Sequence, residues 1–509
     1  MITSSKNKIL IYLIPFILGL FSSFSLPPYS FFFINFITFP LLLFFLIVNY
    51  KKGKWTSFKI GWIFGFGYFI SNLYWITIAL TFEDNFKPLI PIALILIPLF
   101  LGAFYGLATL CCSFFSLNKN FSSILIFSFF FALIEFIRSF IFGGFPWNLI
   151  AFAWTDYIYF LQVLPFIGTY SFNLLSITFF LIPTVILFNY RKDTKLFFLV
   201  FAFLILIINF FYGSLIIKNN EIINKTNLNF KIKIISPNIN VDRYFENEST
   251  EKIILELVNL SSPNISEKTI FIFPEGVLSN IYLEDLKNYS YIFEEYYSEQ
   301  HIIILGINSL EGKKVYNSMV VLDKNLNILA KYNKNKLVPF GEFLPFESLL
   351  SKFNLKKITQ GYRSFSSDDE RDILNINSIN FVPLICYEII YSGKINKTKN
   401  DFDLILNISE DGWFGNSVGL PQHFSHSIFR SIEEGKNLIR SANNGTSAFI
   451  DAKGQIIKYI KSTEKGVIEV KDFNQTKKTL FSSFGNKIFF YFLSFYISLI
   501  FFLKKKEIK

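Results

Sequence analysis

From the N-terminus to about residue 217, apolar positions follow one another almost without interruption, separated only by short polar breaks. A helix that crosses a bilayer needs about 20 predominantly apolar residues. Seven runs of that order are read here, at about 9–26, 29–49, 60–80, 88–116, 122–142, 160–189 and 196–217, and an eighth at about 485–503. The longer runs contain Pro91, Pro98, Pro165 and Pro183, which permit kinks. Residues 218–479 change character. Short β-rich stretches at Phe230–Ile235, Thr269–Phe273, His301–Ile307, Val315–Leu322, Phe381–Ile385, Leu404–Ile408 and Gly445–Ile450 alternate with amphipathic stretches such as Glu251–Asn259 and Leu283–Tyr297. That alternation predicts a layered α/β domain. The expected organisation is a membrane domain over 1–217, an α/β domain over 218–479, and an eighth span with a basic tail over 480–509.

Composition agrees with this partition. Of the 509 residues 52% are hydrophobic, 67 are phenylalanine, and only 17% are charged, against about 25% in an average soluble protein. A disordered chain, a coiled coil and a small disulfide scaffold are excluded. The net charge of +11 raises the question of nucleic acid, and its distribution answers it. Residues 1–217 carry 12 Lys/Arg against 5 Asp/Glu, residues 218–479 carry 32 of each, and the tail carries 5 against 1. The surplus therefore lies with the spans, and no nucleic-acid footprint is expected. Lys6, Lys8, Lys51, Lys52, Lys54, Lys59, Lys119, Arg191, Lys192, Lys195 and Lys504–Lys506 fall on one set of ends and loops. The positive-inside rule makes that side cytoplasmic. Both termini are then expected in the cytoplasm, with the α/β domain outside. The first run is read as a span rather than a cleaved signal peptide, because six more spans follow it.

Three segments of the α/β domain end a strand in chemistry. Ile270-Phe271-Ile272-Phe273-Pro274-Glu275-Gly276 ends in a carboxylate, and Phe381-Val382-Pro383-Leu384-Ile385-Cys386-Tyr387-Glu388 ends in a thiol. Between them lies Tyr332-Asn333-Lys334-Asn335-Lys336-Leu337-Val338-Pro339-Phe340-Gly341-Glu342. A thiol becomes a nucleophile when a base takes its proton, and a nearby ammonium stabilises the anions that follow. Glu, Lys and Cys at the ends of separate strands supply those three roles. Lys334 and Lys336 would share one face of a strand, so parity does not choose between them. His301, His423 and His426 are not spaced as a zinc cluster; His423 is read as ordering the loop after Trp413. Trp413 and Phe414 fit either an acyl groove or core packing.

In their order, Phe-Pro-Glu275, Tyr-x-Lys334-x-x-Leu and Cys386-Tyr-Glu388 resemble the Glu-Lys-Cys triad of the nitrilase superfamily. Several further segments narrow the resemblance to the apolipoprotein N-acyltransferases: Leu-Val-Pro-Phe-Gly-Glu342-Phe-Leu-Pro, Glu410-Asp411-Gly412-Trp413-Phe414-Gly415, Gln422-His423 and Arg440-Ser441-Ala442-Asn443-Asn444-Gly445. Gly65-Phe66-Gly67-Tyr68, Tyr74-Trp75 and Gly144-Phe145-Pro146-Trp147 resemble that family's membrane motifs. The resemblance covers nearly the whole chain. It implies an eight-helix transmembrane bundle with an extracytoplasmic, nitrilase-like αββα sandwich, and it selects Lys334 over Lys336. Glu342 and Glu388 match supporting carboxylates, and Tyr387 matches a functional aromatic. Trp413 and Phe245 are candidate substrate contacts. One departure stands out: where the family usually has Gln and, further on, Trp, this chain has Ser236 and then Tyr244 or Phe245.

The implied reaction is acyl transfer without metal or cofactor. Glu275 would serve as base, Cys386 as nucleophile, and Lys334 with backbone N–H groups near Tyr387 as oxyanion donors. The implied donor is a membrane phospholipid and the implied acceptor the N-terminal amine of a diacylated apolipoprotein, at a bacterial inner membrane with the catalytic domain periplasmic. A membrane-tethered nitrilase-type amidohydrolase is the alternative. A transporter or assembly factor is a second, which predicts that Cys386→Ala keeps function and that charges lie within the spans; Glu135 and Arg138 are the one close pair there.

Overall fold

The computed structural model describes residues 5–219, 225–245, 249–345, 347, 357, 364–395 and 401–508. It divides into two compact units, Met1–Asn219 with Phe484–Lys509, and Asn220–Ser483.

The first unit is helical: α1 (Ser5–Ser23), α2 (Asn35–Asn49), α3 (Lys54–Leu73), α4 (Ile90–Cys112), α5 (Phe121–Arg138), the short α6 (Ile158–Leu161), α7 (Leu164–Leu181) and α8 (Lys192–Lys218). The C-terminal helix Lys487–Ile508 joins it. Among the described residues, seven helices are long and apolar enough to cross a membrane, and a shorter apolar helix covers Leu10–Ser23. Together they correspond to the eight runs read from the sequence. The long run at 160–189 divides, α7 continuing as 3-10 helix over Ile182–Leu187, where Pro183 sits, and the run at 60–80 divides too, α3 continuing as 3-10 helix over Tyr74–Thr81. Helix α7 also breaks at Gly168, whose φ of 70° departs from helix.

Glycine sets the spacing of these helices. A Cβ on Gly65 of α3 would lie 2.7 Å from the Gly102 Cα of α4, and one on Gly67 would lie 2.3 Å from the Phe16 carbonyl of α1. Small residues at such crossings let backbones approach, which is how helices gain contact where lipid removes the hydrophobic drive. The Gly65-Phe66-Gly67-Tyr68 motif thus packs α3 against a different neighbour with each glycine.

Among the described residues, the second unit contains two six-stranded sheets. The first has the order β12-β1-β2-β3-β4-β5, built from β1 (Lys225–Ser236), β2 (Thr269–Ile272), β3 (His301–Glu311), β4 (Lys314–Leu322), β5 (Ile328–Asn333) and β12 (Gly466–Asn474). The second has the order β11-β10-β9-β8-β7-β6, from β6 (Leu374–Ile376), β7 (Ile379–Ile385), β8 (Leu404–Glu410), β9 (Asn437–Asn443), β10 (Ser447–Ile450) and β11 (Ile456–Ile460). Each sheet has three parallel strands, β1-β2-β3 and β7-β8-β9, flanked by antiparallel ones. Alternation along β2 explains the layering. Ile270 and Ile272 enter the core between the sheets with Leu404, Leu406 and Ile408 of β8, whereas Phe271 and Phe273 pack on the opposite side against α9 (Thr250–Ser261) and α10 (Ser290–Tyr296). Helix α11 (Gly419–Glu434) packs against β9 and β10 of the second sheet. The result is an αββα sandwich, as the resemblance implied. Strands β5, β6, β9, β11 and β12 were not read from the sequence.

Candidate active site

Three strands end in the reactive groups. β2 is followed three residues later by Glu275, β5 directly by Lys334, and β7 directly by Cys386. Cys386 has φ of +49°. A non-glycine residue is held in that left-handed region only where its surroundings over-determine it, at a cost of order 1–3 kcal/mol. Here the backbone turns from β7 into the 3-10 segment Cys386–Ile390.

Lys334 is the centre of a buried cluster. Its Nζ donates to Glu275 Oε1 at 3.1 Å and to Glu342 Oε1 at 2.9 Å. Asn317 Nδ2 on β4 donates to the same two oxygens, at 2.7 and 2.8 Å. Glu275 Oε2 accepts from the Glu410 N–H at 2.9 Å, and Glu342 Oε2 from the Val338 N–H at 2.8 Å. Close approach is needed here: a Cβ on Gly306 would meet the Glu275 Cα at 2.5 Å. Lys334 is 1% exposed and Glu275 6%, so this is an ion cluster out of water. Burial works against the ammonium, but Glu275 and Glu342 outweigh it and hold Lys334 well above the usual lysine range. Burial likewise pushes the Cys386 thiol well up; Glu275 adds to this, Lys334 opposes it, and Asp411 adds again. The thiol therefore needs a base and a cation to react, and both lie within its electrostatic reach.

Strand parity left Lys334 and Lys336 equivalent, and the resemblance alone selected Lys334. In the structure β5 stops at Asn333, so strand parity no longer applies, and Lys334 is buried while Lys336 is exposed.

The family model described as "Apolipoprotein N-acyltransferase N-terminal domain" matches residues 18–182, and that described as "Carbon-nitrogen hydrolase" matches residues 292–472. An apolipoprotein N-acyltransferase of Brucella melitensis biotype 1 is 30% identical over 89% of this chain and 88% of its own. One of Rickettsia prowazekii is 32% identical over 97% of this chain and 99% of its own. The chain belongs to the apolipoprotein N-acyltransferase family. Among solved structures, a nitrilase-superfamily amidase from Nesterenkonia is similar, at 13% identity over 49% of this chain and 92% of that one, with a TM-score of 0.36.

The remaining sequence candidates fall into distinct places in this apolipoprotein N-acyltransferase-family chain. Glu342 joins the Lys334 cluster. Glu388 does not; it ties the site's loops together. Its Oε1 accepts from the Asn335 and Lys336 N–H groups at 3.0 and 3.1 Å, from Tyr332 at 2.7 Å and from Arg371 at 2.6 Å, while its Oε2 accepts from the Ile385 N–H at 2.8 Å. One carboxylate thus fastens the loop after Lys334 to the strand end before Cys386. Tyr387 is buried, edge-on to Tyr391 at 5.5 Å. Trp413 is half-buried against Tyr244 at 5.2 Å and Phe245 at 6.4 Å. Tyr244 donates to the Gly276 carbonyl at 3.0 Å, next to Glu275. Where the family usually has Trp, the aromatic beside the site is thus Tyr244 together with Phe245. Ser236 is buried and donates to the Glu464 carbonyl at 3.2 Å.

Sequence reading missed a second polar group beside the thiol. Asp411 accepts from Ser409 Oγ at 2.6 Å and from Arg440 at 2.7 Å, and its Oδ1 lies 2.9 Å from His423 Nδ1. His423 also packs edge-on to Phe414, 5.4 Å away in the loop it was expected to order. Ligand-type atoms of Cys386, Asp411 and His423 lie within 4.8 Å of one another. Arg440, also 3.1 Å from His423 Nδ1, already supplies a positive charge at that corner. Burial works to raise Asp411, but Arg440 and His423 outweigh it and hold its carboxyl well below the usual range. Behind it, Arg243 pairs with Glu410, whose backbone N–H holds Glu275. Asn317, Ser409, Arg243 and Arg440 sit inside strands or turns, and only their partners across the sheets reveal them; the one local signal was the quoted Arg440–Gly445 run.

Proposed function

We propose that Glu275, Lys334 and Cys386 carry out acyl transfer from a membrane phospholipid to the N-terminal amine of a diacylated apolipoprotein. Glu275 takes the thiol proton, and the Cys386 sulfur attacks the ester carbonyl. Lys334, with backbone N–H groups at Tyr387, stabilises the oxyanion. A lysophospholipid leaves with the proton and a thioester remains on Cys386. The acceptor amine then attacks that thioester, Glu275 receives the amine's proton, and the amide product leaves as the thiol is restored. Ester and thioester cleavage drive amide formation, so the scheme calls on no nucleotide. Glu342 and Asn317 hold Lys334 and Glu275 in register, and Glu388 fixes the Cys386 turn. The Tyr244–Phe245–Trp413 cluster serves as substrate contact. Both termini face the cytoplasm and residues 218–479 the periplasm, as the lysine distribution indicates.

The observation that carries this reading is the buried Glu275–Lys334–Glu342 cluster within electrostatic reach of a thiol held in a left-handed turn. The test is mass spectrometry of purified full-length protein incubated with acyl-labelled phospholipid and no acceptor. Wild type gains one acyl group on Cys386, and Cys386→Ala gains none. A label on any other residue sinks the mechanism. A tethered amidohydrolase would turn over small soluble amides and leave the phospholipid untouched.

A further inference from the structure

The strand that follows the nucleophile's strand in the second sheet, β8, brings a hydroxyl to the sulfur. Ile385 of β7 pairs with Ile408 of β8, so the next residue of each, Cys386 and the fully buried Ser409, come side by side, and the Asp411 carboxylate that Ser409 touches lies within 4.8 Å of the sulfur. The same hydroxyl donates to Asp411 Oδ1 at 2.6 Å. Asp411 is itself fixed by Arg440 at 2.7 Å and His423 at 2.9 Å, and the His423 ring also bonds the Cys386 backbone. All four residues are essentially unexposed. Gly445 completes the fit, since a Cβ there would lie 2.0 Å from Asp411 Oδ2. A serine hydroxyl has one proton and two acceptor lone pairs. While Cys386 is a thiol, that proton faces Asp411. Once Glu275 has taken the thiol proton, the sulfur becomes the stronger acceptor nearby.

We propose that Ser409 acts directly on the Cys386 sulfur, its hydroxyl turning from Asp411 to the thiolate when Glu275 removes the proton. Asp411, His423 and Arg440 are positioning residues that hold the hydroxyl ready. No bond to oxygen breaks: the S–H proton goes to Glu275, and Ser409 keeps its own while exchanging one acceptor for another. Asp411 loses a donor in that exchange but retains Arg440 and His423, so its charge stays compensated. The groups around the sulfur are then Glu275, Lys334, Ser409, Asp411 and His423. The inference rests on Cys386 being the nucleophile.

The experiment measures alkylation of Cys386 by iodoacetamide against pH in full-length protein, read at the Cys386 peptide by mass spectrometry so that Cys111 and Cys112 do not contribute. Ser409→Ala, which keeps the fold's volume, shifts the midpoint up by about one pH unit, because a charge-assisted hydrogen bond to the thiolate is lost. Acylation by labelled phospholipid near neutral pH falls about tenfold and recovers as pH rises, since rate follows the thiolate fraction. Asp411→Asn shifts the midpoint down, because it removes a like charge near the sulfur while Arg440 stays. Opposite shifts from two hydrogen-bonded neighbours are not produced by a merely structural role. An unmoved midpoint in Ser409→Ala, or an acylation loss that is equal at every pH, overturns the inference. If wild type forms no acyl adduct on Cys386, the nucleophile reading itself fails, which the same spectra reveal.

Discussion

Glu135 and Arg138 stand three residues apart on one helix, while Glu275 and Lys334 stand 59 residues apart at the ends of two strands. Both pairs are buried, yet they are built for different ends. Glu135 accepts from Tyr105 at 2.8 Å and from Asn173 at 2.6 Å, and Arg138 donates to the Phe145 carbonyl at 2.8 Å. Its partners lie on α4, on α7 and in the Gly144–Trp147 motif, so the pair fastens helices to one another where unsatisfied polar groups are costly. The pair in the α/β unit is shared with a second carboxylate, Glu342, and lies in electrostatic reach of a thiol. A local pair meets on its own helix, and its remaining bonds to neighbouring segments serve packing. A pair assembled from distant strands leaves one group to face a reacting atom.

Substitutions sharpen or break this contrast. The largest effect is expected from Cys386→Ala, which abolishes acyl-enzyme and lipoprotein product while the thermal unfolding midpoint stays near wild type. Next is Lys334→Met, which leaves Glu275 and Glu342 buried without their cation. Acylation falls by about 10²–10³-fold, and the α/β unit loses about 3–5 kcal/mol, as when one partner of a buried pair is removed. Unchanged denaturant unfolding would show that the cluster is not an ion pair in the sense described. Arg138→Leu is expected to destabilise the helical unit by about 3 kcal/mol, read as unfolding in detergent. Acylation per folded molecule stays within about twofold, and Glu135→Gln added to it restores part of the stability. A collapse of acylation in folded Arg138→Leu would break the distinction between packing pair and chemical pair.

The smallest effect concerns Glu434, a buried carboxylate that its cationic neighbours do not neutralise. Burial pushes it up to about 7, with Glu433 adding to the rise and Ser482, Arg430 and Lys478 opposing it. A carboxyl raised in the folded state favours folding at low pH, and that contribution is lost as pH climbs from the ordinary carboxylate value through the folded one. Between pH 5 and 7 the loss is roughly 2 kcal/mol. Glu434→Gln removes that slope from the pH dependence of unfolding, and a slope left intact would place its origin elsewhere.

Much of this was legible in the chain. Span positions followed from length and apolarity, and Cys386 and Glu275 drew notice because each follows an apolar strand. Strand β9 was not read because Asn437–Asn443 mixes Arg440, Ser441 and Asn443 with Leu438 and Ile439, yet every residue of it is buried. Its polar groups find partners on other strands: Arg440 on Asp411 and Asn443 on Glu410. Strand β5 carries Lys331 and Asn333 on an edge, where alternation is weak. The turn that separates Lys334 from Lys336 is made by Glu388, 52 residues beyond Lys336. No local pattern contains that information.

The sequence by itself determined what must leave water and what chemistry was available: apolar runs long enough for lipid, strands ending in Glu and Cys, and a basic stretch holding Lys. Those are properties of segments, fixed by transfer free energy and backbone period. Tertiary structure alone decided which lysine is buried, which carboxylates share it, and that Asp411 and His423 gather beside Cys386 with Ser409 and Arg440 holding Asp411. Burial and charge compensation depend on groups meeting in three dimensions, and these partners lie on separate strands and a helix.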